Sequence, residues 1–329
     1  EYKDDGDRYV ITAKHRISQE SSWIEGYNLH IAYWNNEWRE YIRQYITRIM
    51  GEEAYNKYES FEITQVIQEE YWKKIIKSEN KVIINEEENL IEKTEWAKKG
   101  YTVKKLLNFD EQRNLQKNII SFVKKRIVNL FPHISFEKYK IDEYHKVLTD
   151  KEHYTFIKDI ENGIKFDDIN FDKSILEKAV SKIIKTKVST KNYNSIEIND
   201  KSFALRVIRP SKTDYNPPHK DIYLDRLKNA LNIYMPIVGS NNKSSLPLMP
   251  GSHLLNESDI TRTENGANVN NIKFRVPCII NTKKGLQLIR PNPNYNEIMI
   301  FSPYMIHGGG LNENKDTTRM SLELRFWKV

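Results

Sequence analysis

The sequence predicts an α+β fold in which a mostly helical region, residues 1–190, precedes an antiparallel β-sandwich or jelly roll, residues 191–329. The first region places Ile, Leu, Trp and Tyr at three- and four-residue spacing beside Lys and Glu. The second consists of short β-rich runs between clusters of Pro, Gly and Asn. At 329 residues the chain is long enough to bury a sizeable core. We therefore expect the helices to pack on the barrel.

Four segments of the first region have the helical period, at 36–50, 64–79, 86–98 and 110–128. The clearest begins at Asp110 and carries Leu115, Ile119 and Val123 on one face. Phe131 should end this helix, because a residue that precedes proline disfavours helical backbone. The tryptophans of the region are expected to pack in the core; they are Trp23, Trp34, Trp38, Trp72 and Trp96.

Six β-rich runs follow, at 202–209, 230–238, 274–280, 286–289, 297–301 and 318–327. Turn-forming clusters at 216–218, 239–242 and 291–294 separate some of them. Many short strands at this spacing are typical of an antiparallel sandwich or jelly roll.

Composition excludes several classes of protein. No apolar run approaches the roughly 20 residues of a membrane-spanning helix, so we expect no membrane partner. The single cysteine, Cys278, excludes an internal disulfide and a cysteine-rich zinc site, and it fits a cytoplasmic location. The net charge of +7 lies wholly in residues 191–329, with 19 Lys/Arg against 12 Asp/Glu. Since these residues form no dense basic cluster, we expect an anionic small molecule rather than a nucleic acid. A solvated basic surface without a role is the alternative.

A metal-ligating pair is predicted at His219 and Asp221. In an extended strand, residues two apart point to the same face, so both side chains can reach one metal ion. Such a pair also arises by chance, and by itself it carries little weight. A second histidine, His307, follows the predicted strand at 297–301 and precedes the glycines 308–310. Three consecutive glycines indicate a sharp turn or room for a bound group. Two histidines and one carboxylate are the ligand set of non-haem iron(II) oxygenases.

An anion-binding pair is predicted on the last strand. Arg319 and Ser321 share one strand face, and a guanidinium beside a hydroxyl suits the distal carboxylate of a buried dicarboxylate. Arg325 lies on the same face and is the rival anchor, although its position near the end of the chain favours a surface or salt-bridge role.

Residues 200–329 resemble the phytanoyl-CoA dioxygenase-like branch of the Fe(II)- and 2-oxoglutarate-dependent oxygenases. The motifs of that branch stand in order at 219–221 (His-Lys-Asp), 250–253 (Pro-Gly-Ser-His), 307–312 (His-Gly-Gly-Gly-Leu-Asn) and Arg319. The sequence is similar in particular to a bacterial subgroup associated with carbohydrate biosynthesis. Two positions depart from the branch, Pro218 in place of an aromatic residue and Asn296-Glu297 in place of Gly-Asp. These departures bear on the substrate pocket rather than on the metal ligands.

The resemblance implies a double-stranded β-helix, or jelly roll, as the core. It implies Fe(II) held by His219, Asp221 and His307, 2-oxoglutarate anchored by Arg319, and dioxygen as the oxidant. Since related halogenases replace the aspartate by a small residue, Asp221 favours hydroxylation or another oxidation over halogenation. His253 is expected to lie in a turn near the mouth of the site rather than on the metal.

Further side chains are candidates for ligand contacts. Asn232 and Tyr234 lie two apart on a predicted strand and therefore point to one face. Their side chains either hydrogen-bond the oxoacid or the substrate, or they pack in the core with their polar atoms hydrogen-bonded to the protein. Of Arg206 and Arg209, at most one should point inward, because they are three apart on a strand. Lys220, Arg226 and Lys228 add positive charge near the predicted mouth.

A small, polar, anionic substrate is expected, with a carbohydrate or sugar-nucleotide precursor as the leading candidate, because few Phe or Leu side chains surround the motifs. Two alternatives stay open. One is a cupin-like metal-dependent isomerase, although the His-x-His pair of cupins is absent. The other is a non-catalytic barrel that binds glycans or nucleic acid. The sequence does not indicate an oligomeric state.

Overall fold

The computed structural model describes residues 2–4, 9–11, 89–161, 163–192, 203–212, 214–224, 227, 229–263, 266–269, 272–274 and 276–329. The helices predicted at 36–50 and 64–79 lie outside these residues, as do Trp23, Trp34, Trp38 and Trp72. The chain divides into two compact units. The first comprises residues 1–80, 216–219 and 258–285, and the second comprises residues 81–215, 220–257 and 286–329.

In the first unit the described strands form antiparallel pairs. Strand β1 (Tyr2–Asp4) pairs with β2 (Tyr9–Ile11), β7 (Ile260–Arg262) with β10 (Ile279–Thr282), and β8 (Ala267–Val269) with β9 (Ile272–Phe274). The single strand predicted at 274–280 is wrong, because the chain leaves β9 at Phe274 and enters β10 only at Ile279.

The second unit contains a six-stranded antiparallel sheet. Strands β3 (Tyr101–Lys105), β11 (Glu297–Phe301), β6 (Leu231–Val238) and β12 (Arg319–Lys328) are neighbours in that order. Strand β5 (Phe203–Ile208) pairs with the first part of β12, and β4 (Val188–Ser189) pairs with its end. The strands predicted at 202–209, 230–238, 297–301 and 318–327 are confirmed. At 286–289 no strand forms, and Ile289 makes an isolated bridge to Leu248.

The described part of this unit contains three α-helices, α1 (Phe109–Leu130), α2 (Asp150–Ile160) and α3 (Lys173–Ile184). Helix α1 confirms the prediction for 110–128. Its start is fixed by a capping box between Asn108 and Glu111, and it ends just before Phe131. The described part of the segment predicted as helical at 86–98 consists of turns instead, although Trp96 is buried as expected.

Alternation along the strands separates the two faces of the sheet. The even-numbered residues 320–326 of β12 pack with the helices in the main core, together with Ile233 and Met235 of β6. Arg319, Ser321 and Arg325 therefore lie on the other face, as do Asn232 and Tyr234. A mixed helical and antiparallel-sheet fold is thus confirmed, whereas a closed jelly roll remains a prediction. Strands β3 and β4 come from residues before 190, and the domain boundary predicted there also remains a prediction.

No helix within the described ranges is long and apolar enough to cross a membrane.

Candidate metal centre

The structure brings His219, Asp221 and His307 together. One ligand atom from each lies within 4.8 Å of those of the other two, and all three side chains are buried. The strand expected at 219–221 does not form, because Asp221 opens a short 3-10 turn that ends at Tyr223. The backbone of the intervening Lys220 is nevertheless extended, with φ −109° and ψ 134°. An extended residue between two others leaves their side chains on one side, so the spacing argument holds without a strand.

Both histidines present the same ring nitrogen as a ligand. Nδ1 of His219 lies 2.6 Å from the carbonyl oxygen of Pro217, and Nδ1 of His307 lies 3.0 Å from that of Met305. A carbonyl oxygen can only accept, so each Nδ1–H donates. In the neutral imidazole, Nε2 then carries the lone pair that a metal requires. The two backbone carbonyls therefore fix the tautomer that metal binding needs.

The two oxygens of Asp221 have different environments. Oδ2 accepts from Nδ2 of Asn232 at 2.9 Å and from Nε and Nη2 of Arg325 at 3.2 and 2.9 Å. Oδ1 lies 3.7 Å from Nε2 of His307. The oxygen that faces the histidine is therefore the one suited to a metal ion, while the other oxygen is held by the sheet.

Backbone hydrogen bonds support the segments that carry the ligands. The Asp221 N–H donates to the carbonyl of Pro303 at 3.0 Å, in the segment that leads to His307. The Ile306 N–H donates to Oγ of Ser252 at 2.8 Å, and the Ile306 carbonyl accepts from the N–H of Met249 at 2.9 Å. Ser252 belongs to the Pro-Gly-Ser-His motif, and its contact with the residue before His307 was not foreseen from the sequence.

The glycines after His307 have two structural roles. Gly308 and Gly309 have φ of 97° and 76°, a region that L side chains rarely adopt. At Gly310, an added Cβ would lie 2.5 Å from Cδ of Pro247. The run thus turns sharply, which is one of the two roles that three consecutive glycines predict, and it also packs closely against Pro247.

Arg319 lies buried on the sheet face that carries the polar residues. Its Nη1 donates to Oγ of Ser321 at 3.1 Å, and its guanidinium lies 5.5 Å from the ring centre of Tyr234. Nε of Arg319 is buried without a hydrogen-bond partner, and no carboxylate within the described residues pairs with this guanidinium. A buried cation without an anion is costly, so this arrangement fits a site that an anionic ligand completes.

Arg325 has the salt-bridge role that its position favoured, but its partner is the predicted metal ligand Asp221 rather than a surface group. Asn232 likewise donates to Asp221, and its Oδ1 is buried with no partner among the described residues. The Tyr234 hydroxyl bonds Oγ of Ser240 at 2.8 Å. Asn232 and Tyr234 thus lie on the expected face, with protein partners for Nδ2 and for the hydroxyl.

His253 makes a structural hydrogen bond and is not among the possible metal ligands of the described residues. Its Nε2 donates to the carbonyl of Ala97 at 2.7 Å, and burial lowers the pKa of the ring. The grouping of possible ligands within the described part of the chain comprises His219, Asp221 and His307. The turn role expected for this residue agrees with its geometry.

Three basic residues expected near the mouth form ion pairs with carboxylates of the protein. Arg206 pairs with Glu323 at 2.9 Å, and Lys220 pairs with Glu257 at 2.9 Å. Arg209 is buried against Asp214 and Asp150. Because a carboxylate balances each of these three charges, they do not supply the excess positive charge that was predicted near the mouth of the site, and this part of the charge prediction is wrong. Arg226 and Lys228 lie outside the described residues.

No family model and no curated protein matches this sequence. Among solved structures, the chain is similar to AviO1 from Streptomyces viridochromogenes Tue57, with 14% identity, a TM-score of 0.39, and coverage of 70% of this chain and 90% of that one. It is similar to SnoN, a non-heme alpha ketoglutarate dependent epimerase from nogalamycin biosynthesis, with 10% identity, a TM-score of 0.37 and coverage of 71% and 79%. EctD from S. alaskensis with 2-oxoglutarate and 5-hydroxyectoine has 14% identity, a TM-score of 0.40 and coverage of 76% and 81%.

One of these structures is thus an alpha ketoglutarate dependent epimerase, and another was solved with 2-oxoglutarate. The donor atoms of the site in this chain fit iron(II) by their own chemistry. Two neutral imidazole nitrogens and one carboxylate oxygen are the donors of non-haem iron(II) sites. With three protein ligands, the remaining positions of a six-coordinate ion stay available to small molecules.

Proposed function

We propose that this protein is an Fe(II)- and 2-oxoglutarate-dependent oxygenase that hydroxylates a small polar substrate. One observation carries the proposal. A buried group of three possible metal ligands and a buried arginine that pairs with no carboxylate among the described residues occur in the same chain, in the order that the motifs predict.

The metal ligands are His219 and His307 through Nε2 and Asp221 through Oδ1. Bound iron(II) together with 2-oxoglutarate supplies the dioxygen activation that oxidises an unreactive C–H bond. The protein's own contribution is to orient the metal ligands and to bury the site. The carbonyls of Pro217 and Met305 orient the imidazoles, and the burial of the site limits the access of bulk water.

Arg319 would bind the distal carboxylate of 2-oxoglutarate. Its planar guanidinium offers two parallel N–H groups to both oxygens of a carboxylate, and Ser321 supplies a hydroxyl beside it. The ring of Tyr234 limits the movement of the guanidinium from one side. The bound carboxylate would in turn supply the anion that Arg319 does not find among the described residues.

Hydroxylation is favoured among the possible outcomes because Asp221 occupies the third ligand position. A halide could bind the metal at that position only if a small residue replaced the aspartate. Because one structural neighbour is an epimerase, the product must be identified and not only the consumption of 2-oxoglutarate.

For the substrate we propose a small polar molecule, with a carbohydrate or sugar-nucleotide precursor as the leading candidate. Polar side chains surround Asp221, and they include Asn232 and Arg325. The net positive charge of residues 191–329 still favours an anion, although Arg206, Arg209 and Lys220 do not contribute to it.

The test is succinate formation by the purified chain with Fe(II), 2-oxoglutarate and dioxygen across a panel of sugar nucleotides, acyl thioesters and amino acids. We expect turnover coupled to loss of a polar substrate, and none in His219→Ala or His307→Ala. His133→Ala is the matched control, because His133 is an exposed histidine paired with Glu152. Iron-independent chemistry would support the cupin-like isomerase, and binding without turnover would support the non-catalytic barrel. Turnover confined to long-chain acyl thioesters would contradict the substrate class.

A further inference from the structure

Asp221 is held by two neighbouring strands. Arg325 of β12 and Asn232 of β6 are directly opposite each other in the antiparallel register, and both donate to Oδ2 of Asp221. The residues beside them, Leu324 and Leu231, are buried in the main core. The two donors are therefore fixed by the packing of the sheet rather than by loops.

The consequence for Asp221 is an asymmetric carboxylate. Oδ2 accepts three N–H groups, two of them from a cation, so its lone pairs are largely committed. Oδ1 remains directed towards His307. A metal ion at this site would take one oxygen of Asp221 and not two.

The charge of Arg325 is itself balanced. Glu323 lies 4.0 Å from Nη2 of Arg325, and it also pairs with Arg206 at 2.9 Å. Burial acts to raise the pKa of Glu323, but the charges of Arg206 and Arg325 hold it at about 2, so Glu323 is an anion at neutral pH. An adjacent anion limits the extent to which Arg325 withdraws negative charge from Asp221. Arg325 can thus orient the ligand without cancelling its charge.

We infer that Arg325 and Asn232 are positioning residues of the metal centre, which hold Asp221 as a one-oxygen ligand and so leave three coordination positions for small molecules. This inference rests on the proposed function. It assigns a role to a side chain near the chain terminus, 104 residues from the ligand that it orients.

The experiment uses the full chain and Mn(II) or Co(II) as probes, without 2-oxoglutarate or dioxygen. Metal affinity is measured for the wild type, Arg325→Gln, Arg325→Lys and Asn232→Ala. Losing such an outer partner should weaken metal affinity about 10- to 100-fold, so we expect this for Arg325→Gln. Arg325→Lys should recover part of the affinity, because an ammonium can still donate to Oδ2. The visible spectrum of bound Co(II) should also change in Arg325→Gln, as the carboxylate becomes free to bind through both oxygens.

Arg126→Gln is the matched control. Arg126 also places Nε and Nη2 on an aspartate, Asp159, but this pair lies on the exposed surface of α1 and α2. Its removal should leave metal affinity unchanged. If Arg325→Gln does not fold, Asn232→Ala removes one of the three bonds and should weaken binding several-fold. Wild-type affinity and an unchanged Co(II) spectrum in both Arg325→Gln and Asn232→Ala would overturn the inference alone. Failure of the wild type to bind either metal would overturn the proposed function and the inference together.

Discussion

Arg325 donates from two nitrogens, Nε and Nη2, to the same oxygen of Asp221. Arg319 lies six residues earlier on the same sheet face, yet it pairs with no carboxylate in the described part of the chain. The two arginines are alike in the sequence pattern and differ in their partners. Because Arg325 is already neutralised by the protein, Arg319 is the arginine that we propose as the anchor of an anionic co-substrate.

The first prediction concerns this co-substrate site. Arg319→Met should raise the 2-oxoglutarate concentration for half-maximal succinate formation about 100-fold, since a charge-assisted pair of hydrogen bonds contributes about 3 kcal/mol. Ser321→Ala should raise it about fivefold, for one neutral hydrogen bond of about 1 kcal/mol. An unchanged 2-oxoglutarate requirement in Arg319→Met would show that the anchor lies elsewhere.

The second prediction concerns Ser252, which accepts the N–H of Ile306 beside the predicted metal ligand His307. Ser252→Ala should leave this buried N–H without a partner and lower the free energy of unfolding by about 1–3 kcal/mol. Metal affinity should fall with it, because the segment that carries His307 loses one of its supports. Thermal unfolding and Mn(II) titration measure the two effects. Ser135→Ala, at an exposed hydroxyl, is the control and should change neither.

The helices and strands that could be predicted from the sequence are those in which apolar residues recur at a regular spacing. Helix α1 and strands β5, β6, β11 and β12 follow from apolar spacing, because periodicity indicates which face of an element is buried. The short strands were less predictable. Residues 286–289 have the composition of a strand but form a single bridge at Ile289, since pairing depends on a partner distant in sequence.

The same distinction applies to the site. The order of the motifs along the chain predicts His219, Asp221, His307 and Arg319 as site residues. Their spacing also predicts that residues two apart, such as Arg319 and Ser321, point to one face of a strand. The contact between Arg325 and Asp221 could not be assigned, because it depends on the register between β12 and β6, which includes an irregularity between Met320 and Ser321. Periodicity places a side chain on a face, but it does not identify the partner there.

The third prediction concerns pH. Asp214 is buried against Arg209 and lies 3.4 Å from Nε2 of His153. Burial acts to raise its pKa, but these partners lower it to about 2. The unfolded value is about 3.9, so the contribution of Asp214 to stability is complete above about pH 4 and is lost as the pH falls through about 2. Wild-type unfolding free energy should decrease across that window, and Asp214→Asn should decrease less steeply.

At neutral pH, Asp214→Asn should cost about 3–5 kcal/mol in urea unfolding, because the buried Arg209 loses its buried anion. Asp159→Asn breaks the exposed pair with Arg126 and should cost no more than about 1 kcal/mol. Equal costs for the two substitutions would contradict the view that the Arg209–Asp214 pair depends on its burial.

The central claim, a metal centre formed by His219, Asp221 and His307, is tested most directly by anaerobic titration of the purified protein with Fe(II). The wild type should bind one iron per chain. His219→Ala and Asp221→Ala should lose this binding while circular dichroism shows a retained fold, and His133→Ala should bind as the wild type does. Full binding of iron by a folded His219→Ala or Asp221→Ala, or none by the wild type, would contradict the account.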